Sequence, residues 1–127
     1  MDQVQLIQPQ DIVVLELSSF QLHLLGKKGF RPNIAVLTNF SPNHLDWHGS
    51  EADYRKAKQV IFDAQTSDDA AVIPDDTHSG SHPNHIPWRV RGGRLRFGLT
   101  DHGDDGAFLE GGTLILRSHV FEDAIRF

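Results

Sequence analysis

Three polar side chains stand within or directly after apolar segments of this chain: Glu16, His44 and Lys58. Glu16 belongs to the run at residues 12–17, whose aliphatic and β-branched side chains predict a strand buried on both faces of a parallel sheet. An ionised carboxylate taken out of water without a partner shifts its pKa or destabilises the fold. Glu16 is therefore expected to have a partner.

His44 lies in a loop that follows a second apolar run, residues 34–40, which also predicts a buried strand. In an open α/β sheet, ligands bind outside the carboxyl ends of the strands. Because Glu16 and His44 both come at such strand ends, they are expected to face one crevice.

Lys58 is unusual because of its place on a predicted helix. At about 100° per residue, it falls within a broad apolar arc, between Tyr54 and Phe62, whereas Arg55, Lys56, Gln59 and Asp63 fall on the opposite side. One interpretation is a lysine whose stem runs along the edge of the apolar stripe and whose amine reaches water. The other is a desolvated amine with a lowered pKa, able to act as a neutral nucleophile or to carry a modification.

The first half of the chain predicts the elements that position these residues. Ser18 or Ser19 can cap a first helix, and Ser50 with Asp53 resembles the start of a second. The predicted order is strand 12–17, helix, strand 34–40, helix 51–65 and strand 70–74. This β-α-β-α-β order indicates an α/β fold with a parallel sheet and flanking helices.

The second half has a different character. Residues 76–87 are rich in Ser, Gly, Pro and His and predict an exposed loop. Short strands are predicted at residues 88–99, 107–110 and 113–117, with a turn at residues 110–113. We therefore expect one domain with an α/β part at residues 11–76 and a β-rich part at residues 86–127, which adds a small antiparallel β-sheet.

Composition limits the classes of function. The net charge of -5 and the pI near 5.8 argue against a nucleic-acid partner, which usually requires a basic face. The chain has no cysteine, so disulfides and thiol catalysis are excluded. It also has no long apolar run and no pattern typical of a signal peptide, so a cytoplasmic protein without membrane contact is expected.

Several motifs together resemble the central, P-loop NTPase-like domain of the Mur ligase family. They occur in the expected order and spacing: Glu16-Leu-Ser-Ser-Phe-Gln21, Thr38-Asn39, Asn43-His-Leu-Asp46 and Tyr54-Arg-Lys-Ala-Lys58. Several motifs in order are far more specific than one alone. The resemblance covers residues 12–76, and the Glu-Leu-Ser-Ser-Phe-Gln version resembles the D-glutamate-adding branch of the family.

The resemblance implies ATP-driven amide formation in the synthesis of peptidoglycan precursors. The γ-phosphoryl group of ATP would pass to the carboxylate of UDP-MurNAc-L-alanine, and the amine of D-glutamate would then attack the acyl phosphate. Charge on the phosphoryl oxygens would be stabilised by Mg²⁺ and cationic groups.

The resemblance also implies roles for individual residues. Glu16 would bind Mg²⁺, and His44 would hold a second Mg²⁺ near the substrate carboxylate. Lys58 matches the family lysine that reacts with carbon dioxide to form a carbamate, an anion suited to Mg²⁺. Lys58 and His44 are thus the catalytic candidates. The substrate-binding candidates are Ser18, Gln21 and Asn39.

The chain departs from the family pattern in two ways. Asn43 stands where the family usually has Asp, and Trp47 stands where a basic residue is common, which alters the local charge. The sequence also lacks a Gly-x-x-x-x-Gly-Lys-Ser/Thr loop for ATP, so we expect a fragment of a longer ligase, inactive alone. An incomplete parallel sheet leaves an unpaired edge, which raises the hypothesis that the chain self-associates.

Two other classes of function remain open at this point. A stand-alone metallohydrolase would use His44, Asp46 and His48 as ligands, although their spacing alone is weak support for a metal site. A non-catalytic binding module of ligase ancestry would keep the sheet without needing the three polar residues. A separate metal site is a further, weaker alternative, formed by His78, His82 and His85.

Overall fold

The computed structural model describes residues 2–41, 48–75, 87–119 and 125–126. Within these ranges the chain forms two α-helices, two short 3₁₀ helices and six strands. The helices are the 3₁₀ turns Asp2–Leu6 and Gly26–Lys28, α1 (Ser19–Leu25) and α2 (Glu51–Asp63). The strands are β1 (Ile34–Val36), β2 (Ala70–Pro74), β3 (Gly93–Phe97), β4 (Gly106–Glu110), β5 (Thr113–Arg117) and β6 (Ile125–Arg126).

The six strands form one sheet in the order β1-β2-β3-β4-β5-β6. The pairs from β1 to β4 are parallel, and β4-β5 and β5-β6 are antiparallel. The predicted α/β fold class with parallel and antiparallel strands is therefore confirmed. The antiparallel strands continue the parallel sheet directly, because β4 pairs in parallel with β3 on one side and antiparallel with β5 on the other.

The core lies between α2 and one face of the parallel strands. Side chains alternate between the two faces of a strand. Ala35 of β1 and Leu37, which directly follows β1, therefore point to the same face, and both are buried. Ala71 and Ile73 of β2 are buried in the same way. Phe62 of α2 packs onto this layer and is fully buried. The remaining buried member of the cluster is Trp88, which precedes β3.

The structure describes all of residues 12–17, and the prediction of a strand there is wrong. This run forms no strand, Ile12 and Val14 are 91% and 88% exposed, and Glu16 is exposed as well. An apolar run is buried only where a neighbouring strand and a covering layer exist, and no described strand pairs with the free edge of β1. Since Glu16 is in water, it does not need the partner that burial would have required.

The strand predicted at residues 34–40 is shorter than expected and is buried on one face only. The side chains of Ile34 and Val36 are exposed, whereas Ala35 between them is buried. α2 covers the face of the sheet that carries Ala35, and α1 packs against α2. No described element covers the opposite face of β1.

Both predicted helix starts are confirmed. Ser18 caps α1 and Ser50 caps α2, where the Ser50 hydroxyl accepts from the backbone N–H of Asp53 at 3.1 Å. α2 ends two residues before the predicted end at Gln65. The Gln65 side chain instead turns into the core and donates to the backbone carbonyls of Pro32 and Ala70. None of the described helices combines the length and apolar character needed to cross a membrane.

Candidate functional site

The start of α1 presents two of the predicted substrate-binding residues together. The Ser18 hydroxyl accepts from the backbone N–H of Gln21 at 3.3 Å, and the Ser18 N–H donates to Gln21 Oε1 at 2.8 Å. The hydroxyl also donates to the same oxygen at 2.9 Å. Reciprocal bonds of this kind fix both side chains at the helix start. Because both residues are exposed, this ordered pair is open to a ligand.

Lys58 lies on α2 with its amine over an aromatic ring. Its Nζ atom is 5.4 Å from the centre of the Tyr54 ring, one helical turn earlier. The side chain is half-buried, and this desolvation lowers the pKa of the Lys58 amine because burial penalises its charged form. The lowered pKa increases the share of neutral amine, which the second interpretation of Lys58 requires, whereas the partial exposure of the side chain also fits the first.

His48 makes a buried contact between the two helices. Its Nε2 atom lies 2.9 Å from the Oγ atom of Ser19, and both residues are buried. The imidazole stacks on Phe20 with ring centres 5.4 Å apart and packs against Tyr54 at 5.1 Å. His48 therefore contacts the first turn of α1 and the aromatic ring that lies beneath Lys58.

A cleft of about 530 Å³ lies beside this contact and is lined by residues of α1, of the segment that follows it and of α2. Its charged and titratable lining residues are His23, Lys27, His48, Asp53, Lys56 and Asp63. Of the predicted ligase-site residues that the structure describes, none lines this cleft, whereas His48, a ligand in the metallohydrolase alternative, does.

Two contacts fix the chain before β3 against α2. The Gln59 side chain accepts from the backbone N–H of Arg89 at 3.0 Å and donates to the Arg89 carbonyl at 2.9 Å. The guanidinium of Arg55 lies 4.0 Å from the centre of the Trp88 ring. Gln59 was predicted on the polar side of the helix, which is wrong. It is buried because its amide forms both bonds with a neighbouring backbone, which the helical wheel does not include.

The remaining predicted site residues are not joined in the described structure. Asn39, predicted within the strand at residues 34–40, is exposed in the segment that follows the carboxyl end of β1. Among the described residues, no hydrogen bond or ion pair connects Glu16 with Lys58. His44 lies outside the described residues, as do Asn43, Asp46, Trp47, His78, His82 and His85.

The described residues fit a magnesium site only in part. The exposed carboxylate of Glu16 is a hard oxygen ligand of the type that Mg²⁺ prefers. The described ranges contain no group of three or more His, Asp or Glu side chains placed to hold a metal ion. Lys58 carries an amine, which is not a magnesium ligand without chemical modification.

Two residues of this region were not singled out from the sequence. The sequence predicts Ser19 as an alternative cap and places Tyr54 in the apolar arc, and both belong to the family motifs, but neither is predicted as a site residue. The available signal was the adjacent pair Ser18-Ser19, since one serine suffices for a cap and the second is then free for another contact. The partner of that second serine depends on the tertiary structure.

Comparison with protein families gives one extended match. The family model described as Mur ligase middle domain matches residues 4–106, which includes both helices and strands β1 to β3.

Curated relatives match the same region. A protein from Natranaerobius thermophilus is 39% identical over 106 residues, which cover 84% of this chain. One from Acetivibrio thermocellus is 37% identical over 125 residues and 98% of this chain, and one from Streptococcus agalactiae is 53% identical over 70 residues and 55% of this chain. Each is named UDP-N-acetylmuramoylalanine--D-glutamate ligase. The matched segments cover 22%, 26% and 15% of those relatives, so the chain spans about a quarter of their length or less.

Proposed function

The chain belongs to the Mur ligase family, whose middle domain it matches, and from that premise we propose that it is part of a longer ATP-dependent ligase. The proposed ligase joins D-glutamate to UDP-N-acetylmuramoyl-L-alanine in the synthesis of peptidoglycan precursors, in the cytoplasm. The observation that carries this proposal is the match of 37% identity across 98% of the chain to a ligase named for this reaction.

The proposed chemistry proceeds in two steps. The γ-phosphoryl group of ATP is transferred to the carboxylate of the nucleotide sugar, which releases ADP and gives an acyl phosphate. The D-glutamate amine then attacks the acyl carbon, and the tetrahedral intermediate breaks down with loss of inorganic phosphate. Both steps need an oriented carboxylate and a site that stabilises negative charge.

The described residues supply parts of this site. We assign Ser18 and Gln21 to the substrate because their capping bonds fix them, exposed, at the start of α1. Asn39 joins them as an exposed amide at the carboxyl end of β1, where ligands of open sheets bind. Their role is to bind and orient the nucleotide sugar rather than to exchange protons.

Lys58 is assigned a catalytic role as a modified residue. Only the neutral amine reacts with carbon dioxide, and the partial burial of Lys58 raises the share of that form. The resulting carbamate, together with Glu16 and His44, would provide oxygen and nitrogen ligands for Mg²⁺ in the complete protein.

The test requires the complete protein. The coding sequence on both sides of this chain is recovered, the whole protein is expressed, and ADP release is measured with each substrate omitted in turn. We expect ADP release that depends on both UDP-N-acetylmuramoyl-L-alanine and D-glutamate. Release that depends on a different amino acid would reassign the protein within the family. Binding of the nucleotide sugar without any turnover would favour a non-catalytic module.

Two lysines of α2 provide a matched pair of variants for this assay. Lys58→Ala is expected to lower kcat by at least about 100-fold, since it removes a group placed at the reacting centre. Lys56→Ala changes an exposed lysine two residues earlier and is expected to keep kcat within about twofold. Equal activity of the two variants would remove Lys58 from the catalytic site.

The metallohydrolase alternative gains no support from the described residues. It needs the His48 imidazole as a metal ligand, and because the Nε2 atom of that ring is hydrogen-bonded to the Ser19 hydroxyl, a metal would have to bind at Nδ1. Elemental analysis of the purified chain tests this alternative, which requires about one tightly bound transition-metal ion per chain.

A further inference from the structure

The contact between His48 and Ser19 lies where the two helices of the proposed site meet. Ser19 immediately follows Ser18, the cap of α1 that is assigned to substrate binding. On its other side, His48 packs against Tyr54, whose ring lies beneath the Lys58 amine. One imidazole therefore contacts both the substrate-binding turn and the support of the catalytic lysine.

The contact is costly to break. A buried hydroxyl and a buried ring nitrogen each lose hydration, so they are stable only when bonded, and here they bond each other at 2.9 Å. The stacking of the ring on Phe20, nearly parallel at 15°, restricts its orientation. Hydrogen bond and stacking together fix the direction of the first turn of α1.

The opposite end of α1 is fixed by a second close approach. A Cβ atom added at Gly26 would lie 2.9 Å from Cγ2 of Val60 on α2, so only glycine fits there without a shift. The cleft of about 530 Å³ lies between these two attachments. If the His48 contact is lost, the first turn of α1 can shift into that space while Gly26 stays in place.

We propose that His48 is a positioning residue of the ligase site, which uses Ser19 to hold Ser18 and Gln21 in register with Lys58. The inference rests on the proposed function. His48 touches neither substrate nor reacting atoms in this assignment. It acts through the angle between α1 and α2.

The test compares His48→Phe, Ser19→Ala and the double variant in the complete active protein. His48→Phe keeps a ring against Phe20 and Tyr54 but leaves the Ser19 hydroxyl unbonded. We expect each single variant to raise KM for the nucleotide sugar by about fivefold to tenfold, with KM for ATP within about twofold. The double variant should be no worse than the worse single variant, because both changes remove the same contact.

Two further variants separate positioning from general stability. His48→Gln retains a side-chain N–H that can reach Ser19 and is expected to recover at least half of the lost affinity for the nucleotide sugar. His23→Gln changes an exposed histidine that lines the same cleft and should leave all kinetic constants within about twofold. If His48 had only a structural role, its variants would have a lower melting temperature and less folded protein. KM of the folded enzyme would stay constant.

The outcomes distinguish this inference from the function on which it rests. An inactive wild-type protein would overturn the proposed function. If the wild-type protein is active and the Ser19→Ala and His48→Phe variants keep its KM for the nucleotide sugar, only the positioning role is overturned. Ser19→Ala removes one oxygen atom only, so it keeps the test decisive if His48→Phe does not fold.

Discussion

The Nε atom of Arg31 lies 2.7 Å from the Oδ2 atom of Asp69, a carboxylate whose side chain is fully buried at the start of β2. A second guanidinium nitrogen reaches Oδ1 at 3.2 Å, and the backbone N–H of Thr66 donates to Oδ2 at 2.7 Å. These bonds join the turn before β1 to the turn before β2. The Arg31 guanidinium and the Thr66 N–H lower the pKa of Asp69 to about 2.

This ion pair predicts a specific loss of stability in acid. The pKa of Asp69 is lower in the folded chain than the usual value of about 3.9 in an unfolded chain. The stabilisation is therefore complete above pH of about 4 and is lost as the pH falls towards 2. Urea unfolding of wild type and Asp69→Asn between pH 2 and 7 measures this effect. The variant should be less stable at neutral pH and should depend less on pH in that window.

Asp101→Asn is the comparison for that experiment. Asp101 forms a two-bond ion pair with Arg117, which also lowers its pKa to about 2, but both side chains are partly exposed. Exposed ion pairs contribute little to stability because water and salt screen them. A loss for Asp101→Asn as large as that for Asp69→Asn would show that burial is not what distinguishes the two pairs.

Two adjacent glycines before and in β3 are expected to respond differently to a methyl group. A Cβ atom at Gly92 would lie 2.0 Å from the Asp69 carbonyl oxygen, and this backbone atom cannot move aside without disturbing the turn. At Gly93 the nearest atom is 3.9 Å away. Gly92→Ala should lower the free energy of unfolding by about 2 kcal/mol or more, and Gly93→Ala should change it by less than about 0.5 kcal/mol. Urea denaturation of both variants decides whether this close approach exists.

The buried amide of Gln59 should contribute to stability through the Arg89 backbone. Gln59→Leu leaves both the N–H and the carbonyl of Arg89 without this partner, so a loss of about 1–3 kcal/mol is expected. Gln59→Glu can accept from the N–H of Arg89 but cannot donate to its carbonyl. Its loss of stability should be no smaller than that of Gln59→Leu. Lys56→Leu changes an exposed position of the same helix as a control. Equal denaturation midpoints for Gln59→Leu and Lys56→Leu would contradict the contact.

The lowered pKa of Lys58 predicts unusual reactivity towards amine reagents. A group with a lowered pKa has a larger neutral share at any pH below its ordinary titration range, and only the neutral amine is acylated. Competitive acetylation between pH 7 and 10, with peptide mass spectrometry, compares Lys58 with the exposed Lys56 in the same molecule. The pH at which Lys58 is half-labelled should be lower in the folded chain than in the chain unfolded in urea. Identical midpoints in folded and unfolded chains would exclude desolvation of the amine.

The exposed apolar run predicts how the isolated chain associates. We propose that two copies pair through residues 12–15 and the edge of β1, because both expose apolar side chains and no described strand pairs with that edge. In sedimentation experiments, Ile12→Lys with Val14→Lys should shift the chain towards monomer. Leu99→Lys alters an exposed leucine in the other half and should leave association unchanged. A wild-type chain that is monomeric at high concentration would refute the proposal.

Local patterns in the sequence determined much of this fold. The Ser18 and Ser50 caps, the bounds of β2 and β5, and the mixed α/β class follow from short-range rules about helix starts, alternating burial and turn residues. The motifs around Glu16, Asn39 and Lys58 also indicated the family, because several motifs in fixed order need no knowledge of contacts.

The tertiary structure alone decided which groups are buried and what they contact. Residues 12–17 have the local pattern of a buried strand, yet residues 12–16 are exposed, because strand burial needs a neighbour and a covering layer and no described strand pairs with them. Gln59 has the pattern of a surface residue, yet it is buried because a backbone segment 30 residues away satisfies its amide. The contact between His48 and Ser19 likewise joins residues far apart in sequence. Such pairings depend on how elements pack, and no local pattern contains that information.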